Sequence, residues 1–389
     1  MSQKILFISH DSSLQGAERC LLEAVLRLDK ERFEALVLLP WSGPIDALLK
    51  EANIPYIIRY VASWIPSKRQ TSFLYPFTWF RNLRARLWSL QHLIGAHNID
   101  LVYTNTSTVL DGALAAHRAG IPHIWHIHEH LKGNTDLYTY LPYWLTDRLT
   151  LKYSNLVITP SKALATMRFP AANNKVRIIP NGIDLSTFQH GNGERLRTSL
   201  GIPANAPVLS FIGAISAVKD PLTFATAAAS IFVYQPNTHF LLAGSSNDPA
   251  LEQALQALIK RHGLSHCFHI LGFRSDTHDI LAAATVHVST SLRESFGLTV
   301  IEAMAAGKAV VATRCGGPED VLVDGETGFI VAPGRPDELA NAVLKLLDDP
   351  ELANAMGEAG HIRCNKLYSA EVYANSIQST IEEVLCEQP

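Results

Sequence analysis

Residues 284–313 leave the fewest folds open to this chain. An apolar run at 284–289 is followed by a loop carrying Glu294 and Gly297, a helical stretch and a second apolar run at 308–313. Strand, loop, helix and strand make a βαβ unit, whose strands run parallel. In such units ligands sit at the carboxyl ends of the strands, beside helix N-termini. Gly297 lets backbone approach a ligand closely, and the free N–H groups of the next turn can receive a phosphate. Glu302, one turn into the helix, is placed to accept hydrogen bonds from a diol such as a ribose. Glu294, in the loop, faces whatever lies beyond the phosphate. From these residues alone, two ordinary surface carboxylates are the other reading.

The same alternation runs through the whole chain. Strands are expected at 4–9, 35–39, 56–60, 101–104, 123–128 and 156–159, with helices between them, for instance at 17–28 and 111–119. A second winding starts at 208 and continues through strands at 239–244 and 269–274. Such alternation implies doubly wound parallel sheets, so the fold class is α/β with two Rossmann-like domains. A chain of 389 residues suits two domains, and 47% hydrophobic residues can fill two cores. Turn residues Pro180, Asn181 and Gly182, followed by the polar stretch 186–192, put the boundary near 185. The domains are then 1–185 and 186–389, with closing helices at 336–347, 350–364 and 370–386.

Charge divides unevenly. Residues 1–185 hold 20 Lys and Arg against 14 Asp and Glu, while the remainder holds 13 against 22. The basic excess sits in 52–99, which has Arg59, Lys68, Arg69, Arg81, Arg84 and Arg86 and no acidic residue. Trp64, Phe73, Tyr75, Phe77, Trp79, Phe80 and Trp88 are interleaved with them. That mixture suits peripheral contact with an anionic membrane or a lipid-linked acceptor, or else an ordinary helix whose aromatics pack inward. No run of eighteen apolar residues points to a transmembrane helix, and no signal-peptide pattern opens the chain. Five scattered cysteines read as reduced thiols of a cytoplasmic protein, peripheral at most at the inner membrane face.

Two negative signs narrow the chemistry. The loop after the first strand, 10–19, is not the G-x-G-x-x-G dinucleotide fingerprint, which weighs against an oxidoreductase. Four histidines crowd into 123–130, but His126 and His128 alternate on one strand face and no Cys or Asp completes a metal set, so no metal ligand is assigned.

Taken together, Glu294 and Glu302 in the setting E-S-F-G-L-T-V-I-E-A-M-A-A-G-K-A-V-V-A-T resemble the signature of glycosyltransferase family four. Residues 316–328 are similar to that family's following loop, and Pro180–Asp184 resembles its interdomain segment. The resemblance covers most of 155–389 strongly and the first half more loosely. It implies a GT-B fold, with two domains facing a cleft and the last helix, about 371–386, crossing back to the N-terminal domain. It also implies retaining transfer of a hexosyl unit from a UDP- or GDP-linked sugar to a hydroxyl acceptor, such as a glycan or lipid-linked glycan. The N-terminal domain would bind the acceptor and the C-terminal domain the donor, with neither cofactor nor metal, and nucleic acid is not an expected partner.

Residue by residue, the resemblance gives Lys219, Glu294 and His128 catalytic roles. Lys219 neutralises the pyrophosphate, Glu294 contacts sugar hydroxyls, and His128, beside Glu129, orients a hydroxyl or the departing phosphate. As a residue, a histidine at a strand end can also be a structural hydrogen-bonder, and for His128 the functional role is the preferred reading. The donor site is completed by Gly16 in the first loop, by backbone near Phe273 at the base, and by Phe296, Gly297, Leu298 and Glu302. Family members usually carry an Arg where this chain has Ala214, and often two glycines where it has only Gly16. Loss of one charge-assisted hydrogen bond, roughly 1.5–3 kcal/mol, implies compensation by another cation such as Arg293 or a slower enzyme. It also leaves open a catalytically weak sugar-nucleotide-binding partner subunit.

Overall fold

The computed structural model describes residues 2–134, 136–171 and 174–387, and of Arg69 the backbone but not the side chain. The expectation that set Arg69 on a basic surface therefore lies outside the described residues. The chain divides into two compact units, 1–182 together with 370–389, and 183–369.

The first unit holds strands β1 (Gln3–Ile8), β2 (Phe33–Leu39), β3 (Tyr56–Ile58), β4 (Leu101–Thr104), β5 (His123–His126), β6 (Leu156–Thr159) and β7 (Val176–Ile178). They pair in the order β3-β2-β1-β4-β5-β6-β7, every pair parallel. Apolar runs such as Ile5–Ile8 are buried throughout because helices cover both faces of the sheet. The order reverses between β1 and β4. The loops that follow these two strands therefore diverge around a crevice at their carboxyl ends.

The second unit repeats the scheme with β8 (Val208–Ile212), β9 (His239–Ala243), β10 (Phe268–Gly272), β11 (Val286–Ser289), β12 (Ala309–Thr313) and β13 (Phe329–Val331). Its order is β10-β9-β8-β11-β12-β13, also all parallel, with the reversal between β8 and β11. Strands β7 and β13 are three residues each, too short to show a periodicity in sequence.

The last helix, Ala370–Cys386, packs in the first unit. Tyr373, Ala374, Ile377, Ile381 and Val384 form its buried stripe at helical spacing. Its outer residues add ion pairs, with Arg177 Nη1 2.6 Å from Glu383 and Arg32 Nη1 2.7 Å from Glu382.

Helix Tyr75–His97 carries Tyr75, Phe77, Trp79, Phe80 and Trp88 together with Arg81, Arg84 and Arg86. Arg86, expected on the basic surface, is instead inside. Its side chain is 9% exposed, with Nε 2.6 Å from Asp111, which is itself fully buried. Trp79 also turns inward, whereas Phe73, Phe77, Phe80 and Trp88 are each more than half exposed. The segment thus packs Trp79 and Arg86 inward and leaves Phe77, Phe80 and Trp88 on the outer side of the helix. No helix among the described residues is long and apolar enough to cross a membrane.

Candidate active site

In the second unit the expected donor residues gather where the strand order reverses. The loop after β8 is pinned in three ways. Gly244 lies so close that a Cβ there would meet the Gly213 carbonyl oxygen at 1.8 Å. Thr290 Oγ1 donates to the carbonyls of Lys219 and Asp220, at 2.9 and 2.8 Å. Asp220, at φ +48°, caps the next helix by accepting from Thr223 N at 3.2 Å. Lys219 thus leaves a fixed backbone, and its ammonium pairs with the Glu294 carboxylate.

Glu294 is fixed just as firmly. Its N–H donates to Cys315 O at 3.1 Å, and its carbonyl accepts from Gly317 N at 2.8 Å. Gly317 passes so near that a Cβ would lie 2.3 Å from Phe296 Cα. Glu319 holds this third loop from below, accepting from Cys315 N at 3.0 Å and Gly316 N at 2.8 Å. Gly297, at φ +101°, is the N-cap of helix Leu298–Ala305, in a conformation that L side chains rarely adopt. That helix has neither a side-chain cap nor an acidic residue in its first turn, so its leading N–H groups suit an anion.

The remaining expected residues fall in varied settings. Leu298 is half-buried in the first turn. Phe296 is 3% exposed, with its ring edge-on to Tyr368 at 5.7 Å, so only its backbone is offered to a ligand. Phe273, by contrast, is 78% exposed on the turn after β10. Glu302 is 1% exposed, a buried carboxylate rather than a surface one. Ala214 is exposed in the Lys219 loop. Exposed Arg293 follows Leu292, whose N–H donates to Val218 O at 2.7 Å, so the two loops run side by side there.

In the first unit, Gly16 opens helix Gly16–Leu26. Glu18, in the first turn, is buried 3.4 Å from His10 Nδ1, and burial raises its carboxyl. After β5, His128 is half-buried and its Nε2 lies 3.0 Å from Asn105 Oδ1. Burial holds the His128 imidazole down, to about 4, although neighbouring Glu129 works the other way. Glu129 accepts from Thr106 Oγ1 at 2.6 Å and from Ser107 N and Oγ, both at 2.9 Å. Burial opposes its ionisation, but His10, His128 and these hydrogen bonds outweigh it and lower its carboxyl.

The other histidines of the cluster turn to separate partners. His123 Nε2 meets Thr104 Oγ1 at 2.9 Å, His126 Nδ1 meets Tyr103 Oη at 2.8 Å, and His130 Nδ1 meets Met167 Sδ at 3.2 Å. Sequence reading missed Asn105, Thr290 and Glu319, which act on loops distant in the chain.

Residues 14–187 match the family model described as Glycosyltransferase Family 4, and residues 192–363 that described as Glycosyl transferases group 1. The chain is 32% identical over 225 residues to D-inositol 3-phosphate glycosyltransferase of Corynebacterium jeikeium, covering 56% of this chain and 54% of that relative. It thus spans about half that relative's length. It is 30% identical over 307 residues to alpha-maltose-1-phosphate synthase of Mycolicibacterium smegmatis, covering 71% of this chain and 76% of the relative. Among solved structures, HepE of Anabaena in complex with UDP aligns with TM-score 0.82 at 25% identity, over 98% of this chain and 100% of HepE.

Proposed function

The chain belongs to glycosyltransferase family 4, with the GT-B fold, and on that premise we propose that it transfers a hexosyl unit from a nucleoside diphosphate sugar to a hydroxyl acceptor with retention. The donor is UDP- or GDP-linked, and the acceptor a glycan or lipid-linked glycan. One observation carries the reading. Lys219 and Glu294 pair at the strand-order reversal of the second unit, beside the uncapped helix that Gly297 begins. The UDP bound by HepE is consistent with a nucleotide in this role.

In this mechanism Lys219 and the backbone N–H groups at Gly297 and Leu298 stabilise charge developing on the leaving diphosphate. Lys219 is held for that task by Thr290 and the capped turn at Asp220. Glu294 is released from Lys219 as the phosphate arrives and turns to sugar hydroxyls. Glu302 serves the ribose as a buried acceptor, and backbone near Phe273 serves the base. The departing phosphate takes the acceptor's proton on the same face, so no protein base is assigned.

Ala214 favours one alternative, a catalytically weak subunit that binds the sugar nucleotide without transferring it. Release of nucleoside diphosphate from UDP-glucose, UDP-galactose and GDP-mannose by purified protein separates the two. Turnover of any one with a sugar acceptor supports transfer. Binding to one of them with no release across the acceptors tried supports the alternative.

A further inference from the structure

Asn105 is buried at the carboxyl end of β4, and both ends of its side-chain amide are engaged. Nδ2 donates to the Ala17 carbonyl at 2.8 Å. A carbonyl only accepts, so the NH2 must face Ala17 and Oδ1 must face His128. Oδ1 also only accepts, at 3.0 Å from Nε2, so Nε2 carries the ring proton. A neutral imidazole has a single N–H, which leaves Nδ1 with a lone pair. Among the described residues no hydrogen bond engages Nδ1, and the side chain is half-buried.

We propose that Asn105 is a positioning residue that locks His128 in the Nε2–H tautomer, so that Nδ1 accepts a hydrogen bond from a hydroxyl of the sugar substrate. The ligand half of this inference rests on the glycosyl-transfer reading, whereas the tautomer half does not. Of the two roles expected of His128, only the hydroxyl one survives. A phosphate oxygen brings no proton, and Nδ1 in this tautomer has none to give.

The surroundings keep this state at neutral pH. The titratable groups around the ring are Glu129, His10 and the His126 ring, whose centroid is 4.0 Å from that of His128, with Glu18 beside His10. Glu129 is occupied by Thr106, Ser107 and the His128 backbone N–H at 3.2 Å. Burial disfavours the imidazolium, so Nδ1 stays unprotonated well below neutrality.

The test uses the full chain labelled with ¹⁵N-histidine, in which long-range proton–nitrogen correlations distinguish the two tautomers. The His128 signal is assigned by its loss in His128→Gln. The expected result is an Nε2–H tautomer at pH 7 that persists at pH 5. Asn105→Leu is expected to abolish the preference and to lower kcat on the order of 10–100-fold, the range known for partners that orient metal-bound imidazoles, with little change in donor KM. Asn105→Asp still accepts from Nε2–H but adds charge, so the His128 pKa rises and activity becomes pH-dependent, falling as pH drops from 8 to 6. A donor hydroxyl is indicated if Asn105→Leu slows UDP-glucose hydrolysis without acceptor as much as it slows transfer, and an acceptor hydroxyl if only transfer suffers. An Nδ1–H tautomer, an imidazolium at pH 7, or an unchanged tautomer in Asn105→Leu overturns the proposal. Absence of turnover by the wild type on every donor tried would count against transfer and leave the tautomer result standing.

Discussion

An arginine at position 214 would stand in the exposed, pinned loop that already presents Lys219. If Ala214 is a loss at the pyrophosphate end, Ala214→Arg tightens UDP binding about tenfold or more, since a charge-assisted hydrogen bond contributes ~1.5–3 kcal/mol. Calorimetric titration measures it, and an unchanged Kd would show that Arg293 or another cation already fills the role. Lys219→Ala is expected to lower kcat roughly 10²–10³-fold, as removal of one stabiliser of transition-state charge does. Glu294 was legible in the sequence from its place in the loop of a βαβ unit, and Lys219 through the family resemblance. Asn105 was not. A polar residue closing an apolar strand reads as any loop residue, and its partners Ala17 and His128 are distant in the chain. The burial of Glu302 was equally hidden, because helical spacing alone does not say which face turns to the sheet.

Helix Tyr75–His97 and the loop after β12 show what whole elements add. At a helical 100° per residue, Phe77, Phe80, Arg81, Arg84 and Trp88 share one outer face roughly 100° wide, opposite the buried Trp79, Leu90 and Leu93. If that face meets anionic lipid beside a lipid-linked acceptor, Arg81→Glu with Arg84→Glu abolishes co-sedimentation with phosphatidylglycerol vesicles. Unchanged co-sedimentation discards the membrane role. Arg86 belongs to a different experiment. Arg86→Met strands the buried Asp111 carboxylate and should cost about 3–5 kcal/mol in chemical denaturation. Composition could not make this distinction, because Arg81, Arg84 and Arg86 look alike until the helix is rotated onto its sheet. At the other loop, Gly317→Ala drives a methyl into Phe296 and should displace Glu294, weakening UDP-sugar binding more than it lowers Tm.

At the scale of the molecule, strand–helix alternation made both doubly wound units legible, while the short strands β7 and β13 escaped it. The units share a feature that sets their acid tolerance. His123 in the first and His287 in the second are buried, and desolvation holds each imidazole down to about 3. The unfolded imidazole titrates near 6.5, so below that pH the unfolded chain binds a proton that the folded chain refuses. The contribution of each of these two histidines is therefore constant above about pH 6.5 and falls below it by up to ~1.4 kcal/mol per pH unit. Calorimetry from pH 7 to pH 5 should show this fall, and His287→Gln should lessen it in the second unit's transition.

Catalysis as proposed turns on Lys219 stabilising the diphosphate leaving group of a nucleotide sugar. The most direct measurement is release of UDP or GDP from UDP-glucose, UDP-galactose and GDP-mannose by wild type and Lys219→Ala side by side. One donor is expected to be turned over by the wild type and more than ~100-fold more slowly by the variant, with the fold intact. Equal turnover by the two proteins would contradict that role.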